Sequence, residues 1–193
     1  MPKVSQAHLD ARRQQIVDAA RTRFASHGFA RTSMADLVTA SGLSTGAIYR
    51  YFSSKDEIVA AICEQSSSDV FPTELTAEAV HGMLESVRIR AHDHDHARLV
   101  AQVYAEAALS PTLAAIVEQQ LAGLRSAVVS LLADRPADDA AMIAEAFVAV
   151  CVGYSQQLAV RGDLDPAPFG AAIMTMIQAH DRTSEHRSLS AET

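Results

Sequence analysis

SMADLVTASGLSTGAIYRYF, residues 33–52, reads as two short helical segments hinged at Ser41-Gly42-Leu43. Ser33 is a good N-cap for the first segment, with Asp36 three residues on in a capping-box position. Leu37 and Val38 supply its inner face, Gly42 makes the turn and Leu43 anchors it. Ser44 or Thr45 caps the second segment, whose inward face is Ala47, Ile48 and Tyr51. A supporting helix, a tight Gly-containing turn and an exposed helix are what a helix-turn-helix reader of DNA requires.

On the outer side of the second segment lie Ser44, Thr45, Tyr49 and Arg50. Ser44 and Thr45 stand where free backbone N–H groups favour a phosphate. Gly46 adds no side chain and lets the backbone approach a groove edge. Tyr49 is placed to donate its hydroxyl to a phosphate, and Arg50 to meet phosphate or a guanine edge. Lys55 opens the next helix as a phosphate clamp, and Arg31, Thr32 and Ser33 are placed to do the same from the other side. Tyr51 and Phe52 read as core residues that close the module.

Charge divides along the chain in the same sense. Residues 1–55 hold eight Lys/Arg against three acids, a balance of +5, whereas residues 56–193 carry −12 of the overall −7. A basic head on an acidic body suits phosphate binding confined to one end. Cys63 and Cys151 are isolated thiols without metal-type spacing, and read as buried small hydrophobes in a reducing compartment. The polar N-terminus has no secretory pattern, and no run reaches the roughly 18 to 20 continuous apolar residues of a membrane span. The expectation is a cytoplasmic chain with no membrane partner.

Outward from the central stretch, residues 1–8 read as a loose polar arm. A helix over 9–27 is marked by Ile16, Ala20 and Phe24, with Gly28 as a left-handed C-cap and Phe29 folding back onto the helix end. Ser54-Lys55-Asp56-Glu57 is a second capping box, opening a helix to about Asp69. Phe71-Pro72-Thr73 breaks the pattern, which sets a boundary between domains at 9–69 and 70–182. Five further amphipathic stretches follow, one begun at Ser110-Pro111 and the last capped at Asp165-Pro166; the polar tail from Asp181 is expected to fray. The fold class is all-α, about nine helices.

From Ala11 through Glu57 the chain resembles the N-terminal domain of TetR-family transcriptional regulators. Ile16-Val17-Asp18-Ala19-Ala20, Phe24, Gly28-Phe29, Thr32-Ser33-Met34, Ala40-Ser41-Gly42-Leu43-Ser44, Gly46, Ala47-Ile48-Tyr49, Tyr51-Phe52 and Ser54-Lys55 carry the resemblance. It departs from the family at Thr45, often basic there, and at Arg50, often His. The resemblance implies an all-α homodimer with two DNA-reading heads on ligand-binding bodies, the last two helices forming a four-helix bundle with the partner. It further implies a regulator, in most cases a repressor, released from a palindromic double-stranded DNA operator by a small-molecule effector.

The acidic body has no GxSxG, P-loop, HExxH or GxGxxG pattern, so no catalytic residue and no cofactor is expected. Glu78-x-x-His81 lacks the second pair and the further glutamates of a di-iron bundle. His92-Asp93-His94-Asp95-His96 offers an i, i+4 histidine pair, but it directly precedes the regular stripe from Leu99 and reads as a helix junction, with no metal bound. Met83, Tyr104, Phe147 and Tyr154 are the candidate liners of an effector pocket. With few charges directed inward, the effector class is hydrophobic or amphipathic.

Overall fold

A computed structural model describes residues 5–67, 71–92 and 96–191, with side chains described to Ala179 apart from residues 66 and 67. Among the described residues there are nine helices and no strand: α1 (Gln6–His27), α2 (Met34–Ser41), α3 (Thr45–Tyr49), α4 (Lys55–Ser67), α5 (Ala77–His92), α6 (His96–Ala107), α7 (Pro111–Ser130), α8 (Ala137–Arg161) and α9 (Ala167–Ala191). Two compact units result, and their division is not simply the sequential one expected at residue 70. Met1–Asp69 and Arg90–Gln120 form the first, Val70–Ile89 and Leu121–Thr193 the second.

In the first unit α1 is the central post. Its stripe Ile16, Val17, Ala20 and Phe24 is fully buried, and α2, α4 and α6 pack on it. The helix begins earlier than its apolar stripe suggests, because the Ser5 hydroxyl accepts the His8 N–H and caps it; the first four residues of the expected polar arm lie outside the described residues. At the other end the Gly28 N–H closes on the Phe24 carbonyl at 2.8 Å. Gly28 has φ 89° but ψ 148°, so the chain leaves extended and not through the left-handed cap expected. Phe29 does fold back, its ring centroid 5.3 Å from that of Phe24.

The second unit is built on α8 and α9. Ile143, Ala144, Phe147, Val148, Tyr154 and Leu158 of α8 recur at helical spacing and are buried, as are Ile173 and Ile177 of α9. The rings of Phe147 and Phe71 lie 6.2 Å apart, those of Tyr154 and Phe169 4.8 Å. Arg88 fixes the loop between α8 and α9, bonding Asp163 at 2.7 Å and Glu85 at 2.6 Å. By length and apolarity α8 alone matches a membrane span among the described residues, yet Glu145 and Ser155-Gln156-Gln157 interrupt it and its buried stripe is that of a core helix. α9 starts with Asp165 accepting the Ala167 N–H, and the backbone stays helical to Ala191 where fraying was expected from Asp181.

Candidate nucleic-acid interface

Three local devices set the helix-turn-helix. The Ser33 N–H and hydroxyl both donate to Asp36 Oδ2, at 2.8 and 2.6 Å, while Ser33 Oγ accepts the Asp36 N–H at 3.2 Å. This reciprocal capping box is the one the sequence expects at the start of α2. Gly42 ends α2 at φ 66°, ψ 15°, a left-handed conformation costly for residues with a Cβ, and the chain turns at once into α3. Ser44, not Thr45, caps α3, its Oγ accepting the Ala47 N–H at 3.3 Å.

α3 is only five residues long and is held from beneath by Ile48, which is fully buried, while Phe52 closes the module behind it. Its other side faces outward: Ser44, Thr45, Gly46, Tyr49 and Arg50 are all exposed, Tyr49 to 51%. A Cβ built on Gly46 meets nothing within 4 Å, so the bare backbone at this point is open to a partner. Five of the nine residues expected at a DNA contact thus share one short outer edge, and Arg31 is exposed before α2. Ser33 is exposed too, with its hydroxyl committed to the cap.

Two further candidates sit differently. Thr32 is 1% exposed; its hydroxyl donates to the Gly28 carbonyl at 2.8 Å and its N–H to that of Phe29 at 3.2 Å. The phosphate contact expected of Thr32 is therefore corrected to an inward tie in the α1–α2 loop. Lys55 is half-buried, its Nζ donating to the Phe29 carbonyl at 2.9 Å and lying 4.3 Å above the Phe29 ring centroid. The second capping box is shifted by one residue: Glu57 takes the Ser53 N–H and hydroxyl, both at 2.6 Å, and only the return bond reaches Ser54, whose Oγ accepts the Glu57 N–H. The hydroxyl and N–H of Ser33 hold the Asp36 carboxyl below its ordinary range, and those of Ser53 do so for Glu57.

Sequence reasoning passed over the side chains that brace this platform. Gln15 on α1 donates from Nε2 to the Ser41 carbonyl at 2.7 Å, satisfying a C-terminal carbonyl of α2 at the turn. Arg13 stands 5.2 Å over the Phe52 ring. Arg21 reaches the Gln65 side chain at 3.0 Å and ties α1 to α4. Gln102 of α6 accepts the Phe29 N–H at 3.2 Å. Gln15 lies beside the apolar stripe of α1, a weak local signal; Gln102 is 73 residues from its partner and has none.

The effector-pocket candidates are spread over both units. Phe147 and Tyr154 are buried in the second, where the Tyr154 hydroxyl donates to the Leu164 carbonyl at 2.9 Å and burial pushes its pKa to about 12. Met83 is also buried there. Tyr104, half-buried, belongs to the first unit, its pKa pushed to about 12 chiefly by burial and further by the nearby Cys63. α5 ends at His92 and α6 begins at His96; Asp93, His94 and Asp95 lie outside the described residues. Among the described residues no three His, Cys, Asp or Glu converge as metal ligands.

A buried three-helix frame presenting a capped, outward-facing short helix in the basic segment defines a helix-turn-helix module. Residues 16–62 match the family described as "Bacterial regulatory proteins, tetR family". The chain is 43% identical over 67 residues to the HTH-type transcriptional repressor Rv1474c of Mycobacterium tuberculosis, covering 35% of this chain and 36% of that protein. It is 35% identical over 97 residues to the HTH-type transcriptional repressor AcnR of Corynebacterium diphtheriae, covering 50% and 49%. The matches span about a third to a half of the length of these curated relatives. Over 92% of the chain the fold is that of Salmonella enterica GusR, with a TM-score of 0.72, 23% identity and 98% of that chain covered. Escherichia coli NemR in its reduced form gives 0.65 at 15% identity, over 84% and 95%. The N-terminal module thus matches the TetR family of bacterial regulatory proteins over residues 16–62, and over most of its length the chain shares the fold of these solved structures.

Proposed function

We propose that this protein is a transcriptional repressor acting as a homodimer on a palindromic DNA operator, and that a small effector releases it. The observation that carries the reading is the exposed edge Ser44, Thr45, Gly46, Tyr49 and Arg50 on a helix seated by buried Ile48, within the segment of charge +5. α3 of each copy enters one of two successive major grooves, about 34–36 Å apart or a small multiple of that. Arg50 and Tyr49 meet phosphate or a base edge, the α3 backbone approaches at Gly46, and Arg31 and Lys55 meet the flanking backbone. Ser33, with both donors on Asp36, serves as the cap of α2. Names of the curated relatives as repressors support the sign of regulation.

The partner copy is proposed to seat on α8 and α9. Ala141, Ala149, Ala171 and Ala172 are exposed small residues that allow close helix approach, beside exposed Met142 and Val160. The effector is hydrophobic or amphipathic, and Met83, Phe147 and Tyr154 in the second unit and Tyr104 in the first are the side chains to vary in locating it. Effector binding acts by favouring an arrangement of the heads that fits the operator less well, a coupling of about 1–3 kcal/mol. The protein is assigned no catalytic role and works in the cytoplasm, where its DNA lies.

A mobility-shift assay of the purified chain against the DNA flanking its own gene tests this. A discrete shift that survives competitor DNA supports the reading; binding to no flanking fragment at low salt overturns it.

A further inference from the structure

Phe29 is tied at three points by side chains from three helices. Its ring packs on Phe24 of α1, its carbonyl and ring face hold Lys55 of α4, and its N–H is taken by Gln102 of α6. The same Gln102 oxygen lies 3.8 Å from the position of a Cβ on Gly28, so it sits directly over the end of α1. From Phe29 the connection runs on without slack. The Thr32 N–H bonds the Phe29 carbonyl, its hydroxyl bonds that of Gly28, and the next residue, Ser33, caps α2. α6 lies outside the family-matched residues 16–62, yet it belongs to the same compact unit as the helix-turn-helix.

We propose that Gln102 is a positioning residue for DNA binding. By accepting the Phe29 N–H it fastens α6 to the loop that launches α2, and so holds the helix-turn-helix in its DNA-reading arrangement. This role rests on the DNA-binding reading above. The bond is short-ranged and directional, so a shift of α6 by about an ångström breaks it or drags the loop along. Gln102 is half-buried, and it acts on DNA through Phe29 with no phosphate contact of its own.

The test uses the full chain, the flanking DNA it binds, and the variants Gln102→Leu and Gln102→Glu. Leu keeps the bulk and removes the acceptor; Glu keeps an acceptor at the same reach. Gln102→Leu is expected to weaken DNA binding about 3- to 10-fold, the scale of one net hydrogen bond. The slope of affinity against salt stays at the wild-type value, because no phosphate contact is lost. Hydrogen exchange quickens at the Phe29 amide while the amides of Ile16–Phe24 keep their protection, and Gln102→Glu restores affinity. Unchanged or increased affinity in Gln102→Leu, a shallower salt slope, or failure of Gln102→Glu to restore binding overturns the role. A wild-type chain that binds no DNA overturns the DNA-binding reading and this role together, whereas wild-type binding with an unaffected Gln102→Leu overturns this role alone.

Discussion

Lys55 Nζ donates to the Phe29 carbonyl at 2.9 Å and rests 4.3 Å above the ring of the same residue. One ammonium thereby ties the start of α4 to the end of α1, and on the proposed reading it also meets the flanking DNA backbone. Lys55→Met is therefore expected to act twice. It lowers the stability of the module by about 1–3 kcal/mol, since a charge-assisted bond is lost and the Phe29 carbonyl keeps only the Thr32 N–H. It also weakens DNA binding. Urea unfolding alongside binding measurements checks this, and a variant of undiminished stability contradicts the internal tie.

Gly46 separates approach to DNA from folding. A Cβ there meets open space, so Gly46→Ala is expected to leave stability unchanged or raise it by up to about 1 kcal/mol. DNA affinity nonetheless falls, because the methyl group occupies the space through which the α3 backbone approaches a groove. Equal affinity of the two proteins would place the contact elsewhere on the module.

Arg50 and Tyr49 are exposed, so Arg50→Ala and Tyr49→Phe are expected to change stability by less than about 0.5 kcal/mol. Arg50→Ala should reduce the salt slope of DNA binding by about one per head if Arg50 meets phosphate. A slope unchanged, with affinity lost on one operator sequence only, would mark Arg50 as a base reader.

Acid stability follows from the two capping carboxyls. The N–H and hydroxyl of Ser33 hold the Asp36 carboxyl below its ordinary value, and those of Ser53 hold Glu57 below its own. In the unfolded chain both take up protons more readily, so their contribution is present above these values and fades as pH falls through the depressed ones. Ser53→Ala is expected to flatten the acid limb of stability below about pH 4.5, with little change of slope above pH 6. Thermal melting between pH 3 and 7 reads the difference.

Tyr154 is completely buried with its hydroxyl on the Leu164 carbonyl. Tyr154→Phe leaves that carbonyl unsatisfied and is expected to cost about 1–3 kcal/mol, seen as a lower denaturation midpoint at unchanged m-value. A neutral outcome would mean that water replaces the hydroxyl at Leu164.

The helix-turn-helix was legible because its determinants are local. Ser33 and Asp36, Gly42, and Ser44 act within four residues of the groups they satisfy, and Leu37 and Ile48 fall at the helical period. What stayed hidden depends on contacts between distant segments. Thr32 looks like a free polar residue until the α1–α2 loop turns its hydroxyl onto Gly28, and Lys55 looks solvent-facing until Phe29 folds beneath it. In Ser53-Ser54 the box residue differed by one place, since two adjacent serines give the same signal and only backbone direction separates them. The return of Arg90–Gln120 to the first unit had no sequence marker, and with it went the partner of the Phe29 N–H.

The most direct test of a DNA-reading head is the salt dependence of binding to the flanking DNA fragment, followed by fluorescence anisotropy between 50 and 200 mM salt. A dimer neutralising on the order of six phosphates gives a log–log slope of about −5, and Arg50→Ala gives a shallower one. A slope near zero, or the same slope and affinity in the Arg50→Ala protein, contradicts the assignment of the exposed α3 edge to DNA.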